Sequence, residues 1–369
     1  MNPLHELLQL GQSIWYDFIS RDFIASGAMK QLVDQGLRGM TSNPTIFEKA
    51  IAGGSSYDDQ IQELSRAGHS TAEIATALFV EDVRNACDVM MPVYAESNGG
   101  DGFISIEVSP TLAAKTDETL AEARILWSRI DRPNLMVKIP ATPEGIPAIR
   151  QCIAEGININ VTLMFSLRQY RDVALAYIGG LEDRAAAGHA IDRVNSVASV
   201  FVSRIDTMVD PMLERIGTPE ALQLRGKLAV ANSKLVYQEF KTLFNGERWE
   251  RLAAQNARVQ RPLWASTSVK NPAYPDLLYV EPLIGPHTVN TVPPETLTAI
   301  LDHAVPRLSV EDDCAGAAAT VAATAEAGID IDAVMATLIA EGVEKFVTSF
   351  STLFGKLEAK RALLATQTL

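Results

Sequence analysis

The sequence predicts a closed (β/α)8 TIM barrel with additional C-terminal helices. Three observations point there: eight short β-rich runs, long helical patterns between them, and polar residues placed where a barrel interior should be apolar. The runs are residues 13–18, 37–42, 102–109, 134–141, 157–165, 193–203, 261–268 and 276–283. Between them lie amphipathic or Ala-rich stretches such as residues 143–156, 166–188 and 218–244. Strands alternating with helices predict a parallel sheet, and eight of them favour a closed barrel over an open one. The interval from the seventh run to the eighth is too short for a full helix. The run Gly99-Gly100-Asp101-Gly102 precedes a strand and reads as a turn.

After Val292-Pro293-Pro294 the pattern turns helical to the end of the chain. Residues 315–325 are rich in Ala and Thr, and residues 331–364 carry apolar side chains at helical spacing. The acidic Glu311-Asp312-Asp313 suits a helix start, where carboxylates meet the positive end of the dipole. Residues 1–294 are therefore expected to form the catalytic barrel. Residues 295–369 are expected to pack on it as helices of the same domain.

Composition narrows the function. A chain of 369 residues with 47% hydrophobic and 21% charged residues has ample material for a large core. Its net charge of −13 leaves no basic surplus to neutralise a polynucleotide, so nucleic acid is not an expected partner. Two or three placed cations still suffice for a small phosphate. Cys87, Cys152 and Cys314 are widely spaced, odd in number and free of any CxxC, which fits reduced thiols. No secretory signal and no run of about 18 apolar residues is present, so a cytoplasmic protein without a membrane partner is expected. The five histidines show no pair at ligand spacing, and no GxGxxG or P-loop occurs. Neither a metal nor a cofactor is expected.

Alternate residues of a barrel strand point inward. Ile104, Ile106 and Val108 form an apolar row, leaving Ser105 and Glu107 on the other face. Leu135, Val137 and Ile139 leave Met136 and Lys138; Ile159, Val161 and Leu163 leave Asn158, Asn160 and Thr162. Three consecutive strands thus aim Glu107, Lys138, Asn160 and Thr162 at one interior. Glu107 and Lys138 sit near the C-terminal ends of their strands, where this fold keeps its catalytic groups. A purely architectural Lys138–Glu107 ion pair is the competing reading, although buried pairs stabilise less than apolar packing. Asp17 lies in the first run with apolar neighbours on both sides, as a site acid or as a loop acid or helix cap. Asn43, held extended or in a turn by Pro44, is a ligand contact or a turn residue. Arg204 is a phosphate ligand or the partner of Asp206 in a surface ion pair.

The runs TSNPTIFEKAI (41–51), ISIEVSP (104–110), LMVKIPAT (135–142), INVTLMFS (159–166) and SVASVFVSRID (196–206) resemble the successive strand-end motifs of transaldolases, in the family's order. The resemblance covers residues 13–290. It implies that Lys138 is the Schiff-base lysine, Glu107 the acid acting through water, Asp17 the acid/base of the first strand and Thr162 the hydroxyl positioning the water. It implies that Asn43 and Asn160 bind the dihydroxyacetone moiety, that Ser199 and Arg204 contact the substrate phosphate, and that Phe201 lines the site. Ser266 matches as a substrate contact. Lys270 stands where shorter members carry arginine, and supplies a point charge without the bidentate fork. The C-terminal region resembles a longer, mainly bacterial branch.

A ketol transfer needs an electrophilic carbonyl carbon and a stabilised carbanion, and a lysine iminium supplies both. The resemblance implies transfer of a three-carbon unit between sugar phosphates. An aldolase that releases free dihydroxyacetone and a non-catalytic sugar-phosphate-binding barrel are the alternatives. Fold alone separates none of these.

Overall fold

In the computed structural model, which describes residues 2–366, eight parallel strands close into a barrel in chain order. They are β1 (Gln12–Tyr16), β2 (Gly39–Thr41), β3 (Phe103–Glu107), β4 (Leu135–Pro140), β5 (Ile159–Met164), β6 (Ser196–Phe201), β7 (Arg261–Ala265) and β8 (Thr288–Val292). β1 pairs with both β2 and β8, which closes the ring. The first seven lie in or across the expected runs. The eighth does not.

Residues 276–283, expected as the eighth strand, form turns and a short 3-10 helix, Glu281–Leu283. Pro282 falls inside that run, and its ring can donate nothing to a ladder. The real β8 follows Pro286 and His287 and is β-branched at Thr288, Val289, Thr291 and Val292, a composition that suits a packed strand. No α-helix separates β7 from β8 among the described residues. A turn-rich loop replaces it, which explains the short interval.

The barrel register places the polar inward residues side by side: Glu107 opposite Lys138, Lys138 opposite Asn160, and Pro140 opposite Thr162. The strict alternation expected of β5 fails at its end. Register with β6 shifts between Val161 and Met164, and Leu163 takes a left-handed φ of 55°. Such a bulge re-aims a side chain at the rim of a barrel. Here it turns Leu163 toward Gly342, where an added Cβ would lie 2.9 Å from Leu163 Cδ2.

Helices cover the barrel, and local sequence sets their starts. The helix Leu167–Ala186 is opened by a capping box of Ser166 and Gln169, and Gln169 also donates to the Ala141 carbonyl beyond β4 (3.1 Å). Beyond β8 come helices Pro294–His303, Cys314–Glu326 and Ile331–Thr366. The acidic run does precede a helix: Asp313 Oδ1 accepts from Gly316 N at 2.9 Å.

The last helix runs beside the helix Pro44–Ala52 and is pinned to it. Thr45 Oγ1 donates to Ser349 Oγ (2.9 Å), Lys356 pairs with Glu48 (2.6 Å), and Lys360 donates to the Ile51 carbonyl (3.0 Å). Farther along, Arg361 donates to Thr71 Oγ1 (2.6 Å) and the His69 carbonyl (3.0 Å). Among the described residues no helix is long and apolar enough to cross a membrane. The three cysteines are free thiols, with Cys87 and Cys152 buried.

Candidate active site

At the C-terminal mouth of the barrel lies a cavity of about 370 Å³. Nine of the sequence-nominated residues line it: Asp17, Asn43, Lys138, Thr162, Ser199, Phe201, Arg204, Ser266 and Lys270. Glu107 and Asn160 do not. They sit behind that lining, in contact with residues that do.

Lys138 is almost enclosed, with its side chain 7% exposed and that of Glu107 5% exposed. Its Nζ donates to the Ser42 carbonyl at 3.0 Å and lies 3.6 Å from Glu107 Oε2, close enough for charge but too far for a hydrogen bond. Both Glu107 oxygens and Thr162 Oγ1 are buried without a hydrogen-bond partner among the described residues. Polar atoms left open inside a core are rare, and a catalytic role or a bound water is among the things that explain them. Burial pushes the Glu107 carboxyl from an ordinary 4.5 to about 7, against the pull of Lys138. It is thereby poised between acid and base near neutral pH.

Asp17 follows β1, its N–H donating to the Val292 carbonyl of β8 (2.9 Å). Thr41 donates to Asp17 Oδ1 at 2.7 Å and sits 2.7 Å from Thr291 Oγ1, so β1, β2 and β8 fix the carboxyl together. Burial raises the Asp17 pKa; Lys138 and the Thr41 hydrogen bond oppose this, and Glu295 adds to it. Asp17 is thus held by the sheet, neither free in a loop nor capping a helix.

Asn43 is extended (φ −155°, ψ 166°) and caps the helix Pro44–Ala52, its Oδ1 accepting from Ile46 N at 3.1 Å. The cap occupies the oxygen and leaves the amide nitrogen to the cavity. Asn160 is wholly buried, donating to Ser105 Oγ (3.0 Å) and accepting from Ser199 Oγ (2.7 Å). Ser199 carries that chain of bonds to the cavity wall.

Arg204 begins the helix Ser203–Ile216, directly after β6, and lies over the Phe201 ring at 5.1 Å. It makes no ion pair with Asp206. Asp206 instead accepts from Ala229 N (2.8 Å) and the Tyr279 hydroxyl (3.0 Å). Ser266, in the left-handed region at φ 54°, has its Oγ 3.1 Å from that of Ser203. Lys270 donates to Ser268 Oγ at 2.5 Å and reaches the same cavity as Arg204.

Several lining residues escaped sequence reasoning, among them Lys49, Thr291, Glu295 and Phe346. Phe346 comes from the last helix and lines the cavity, which gives the C-terminal region a place in the site. A second group supports the rim. Asp210 accepts from the Tyr274 hydroxyl (2.6 Å) and from Gly226 N (2.9 Å), so Asp206 and Asp210 strap the Lys270 loop to the Arg204 helix. Their i, i+4 spacing on one helix was the available signal, hidden because Tyr279 lay in the misassigned strand.

That geometry belongs to an enzyme, with a primary amine at the catalytic end of a barrel and cations at its rim. The model of the family described as Transaldolase/Fructose-6-phosphate aldolase matches residues 14–357, and the chain belongs to that family. It is 52% identical over 354 residues to a transaldolase of Acidothermus cellulolyticus, covering 95% of each chain. It is also 48% identical to transaldolases of Trichodesmium erythraeum, covering 97% of each chain, and of Mycobacterium marinum, covering 99% of each.

Proposed function

We propose that the chain is a transaldolase working through a Schiff base on Lys138, moving a dihydroxyacetone unit from sedoheptulose 7-phosphate or fructose 6-phosphate to an aldose phosphate. The observation that carries this reading is the enclosed Lys138 amine, bordered by Glu107 and sharing its cavity with Asp17, Arg204 and Lys270.

The amine adds to the ketose C2 carbonyl, and loss of water gives an iminium. Glu107, with Thr162 orienting a water, moves the protons of addition and dehydration. Asp17 then takes the C4 hydroxyl proton as the C3–C4 bond breaks. The bonding electrons pass into the iminium as an enamine, and an aldose phosphate leaves. The enamine attacks the carbonyl carbon of the acceptor aldehyde, Asp17 returns its proton to the new alkoxide, and water releases the ketose product. Arg204 and Lys270 hold the phosphate, the first bidentately and the second as a point charge. Asn43, and Asn160 through Ser199, orient the donor hydroxyls. Phe346 and the last helix exclude water while the enamine waits, which favours transfer over release of free dihydroxyacetone. On this reading residues 295–369 form one catalytic unit with the barrel.

Incubation with fructose 6-phosphate followed by borohydride should leave a reduced three-carbon adduct on Lys138, mapped by mass spectrometry. Erythrose 4-phosphate added before reduction should discharge it. Discharge in buffer alone at the same rate indicates the aldolase reading. No adduct in a folded sample that binds sugar phosphate overturns both in favour of a binding protein.

A further inference from the structure

The barrel has a second cavity at its N-terminal mouth, about 490 Å³ and larger than the catalytic one. Ser13, Arg38, Asp101, Arg258, Arg261 and His287 line it, all lying at or just before the starts of strands. Three guanidinium groups thus face one carboxylate in a chain whose net charge is −13.

The carboxylate is already saturated. Asp101 accepts from Ser13 Oγ, from Trp15 Nε1 (3.0 Å), from its neighbour Gly102 N (3.3 Å) and from Arg261 Nη2 (3.3 Å). Two of the three cations are not. Arg38 has a side chain only 14% exposed, yet its guanidinium makes no hydrogen bond among the described residues. The nearest carboxylate oxygens, of Glu96 and Asp101, stand at 3.8 and 3.9 Å, and Nε is fully buried without a partner. Arg258 donates from Nε to the Asp192 carbonyl (3.1 Å) and from Nη2 to the Asn98 carbonyl, leaving Nη1 uncommitted. Burial and the neighbouring Arg193 both oppose its positive charge. Burial and Arg261 keep His287 below its ordinary value, so it favours the neutral form.

The glycine turn singled out in the sequence makes room for Arg258 and for its neighbour Arg193. A Cβ on Gly99 would stand 2.6 Å from Arg193 Nη1, and one on Gly100 3.0 Å from Arg258 Nη1. Crowded cations with open planar donors match an oxyanion that accepts bidentate hydrogen bonds.

We propose that this cavity binds a phosphate group, either inorganic phosphate or the phosphate of a small phosphorylated sugar, at the end of the barrel opposite the chemistry. The site is independent of the Schiff-base reading, since none of its residues lines the catalytic cavity.

Phosphate binding to the full chain would be measured by calorimetry in wild type, Arg204→Ala, Arg38→Ala and the double variant. Arg204→Ala removes a cation of the catalytic mouth and should retain a saturable phosphate site. Arg38→Ala added to it should weaken that site at least ~10-fold, with Arg38→Lys restoring part. Arg38→Ala alone should leave turnover in phosphate-free buffer unchanged, and phosphate should no longer raise its melting temperature as in wild type. Sorbitol 6-phosphate, which has no carbonyl for Lys138, separates the sources: tighter binding than phosphate means the sugar is read, and equal binding means the free ion suffices. Arg258→Gln serves as the second variant should Arg38→Ala not fold. Phosphate affinity in the Arg204→Ala background that neither substitution changes, or no saturable binding there below about 10 mM, overturns the proposal.

Discussion

The two mouths of the barrel are built from the same strands and treat polar groups in opposite ways. At the C-terminal mouth Glu107, Thr162 and Arg204 are held in place by packing, while their polar atoms are left open. At the N-terminal mouth Asp101 is bonded by Ser13, Trp15, Gly102 and Arg261 until nothing remains to react. The contrast lies in the carboxylates, since both ends hold buried polar atoms without a partner among the described residues: Gln12 Oε1, Asn134 Oδ1 and Gln260 Oε1 are open at the N-terminal end as well. Arg38 Nε is the one open atom at that end that carries charge and borders the second cavity, which is why that cavity merits a ligand.

Substitutions at the two ends should therefore separate activity from stability. Lys138→Ala should lower transaldolase turnover by ~10⁴-fold or more and abolish borohydride trapping, because the proposed mechanism places the iminium on Lys138 and not on the Lys49 or Lys270 amines of the same cavity. Glu107→Gln should cost ~10²–10³-fold in kcat, the usual weight of a general acid–base. It should also change how stability depends on pH. Folding raises the Glu107 carboxyl from 4.5 to about 7, so the folded chain favours the neutral acid. That contribution is complete below the unfolded value and is lost as pH climbs through about 7. Denaturant unfolding near pH 5 and near pH 8 should show wild type losing ~1–3 kcal/mol relative to the variant. A flat difference would break the link between open polar atoms and function.

Asp101→Asn should do the reverse, removing ~2 kcal/mol of stability with kcat unchanged, because it strips charge from a saturated network. A fall in kcat without loss of stability would show that the two ends are coupled. Tyr274→Phe should give a smaller effect, raising KM for phosphorylated substrates ~3–10-fold at nearly constant kcat by loosening the Lys270 loop. The smallest should come from Lys345→Ala on the last helix, which breaks an exposed i, i+4 pair with Glu341 worth ~0.5 kcal/mol or less.

The catalytic end was the more legible in sequence, for a physical reason. A charged or amide side chain in an otherwise apolar strand row stands out, so Glu107, Lys138, Asn160 and Thr162 could be assigned an interior from period alone. Residues contributed across large sequence distances leave no such mark. Phe346 looks like any apolar residue of an amphipathic helix, and Glu295 like an ordinary helix-start acid. β8 was misplaced because the hydrophobic run before it outweighed Pro282, which interrupts that run. The bulge at Leu163 left no mark in the strand itself, and the Gly342 it packs against lies far along the chain. The N-terminal network was legible only as a glycine turn, since the arginines that need the bare backbone, Arg193 and Arg258, come from two distant segments.

The last helix has a consequence for synthesis. Phe346 lines the cavity more than two hundred positions after Lys138, so a nascent chain holds the proposed Schiff-base lysine long before this part of the cavity wall. A ribosome-bound or prematurely terminated product would display an open, water-filled mouth. On the proposed mechanism, fidelity of transfer then waits on a helix translated after the whole barrel, and a chain stopped before Phe346 should discharge its intermediate to solvent.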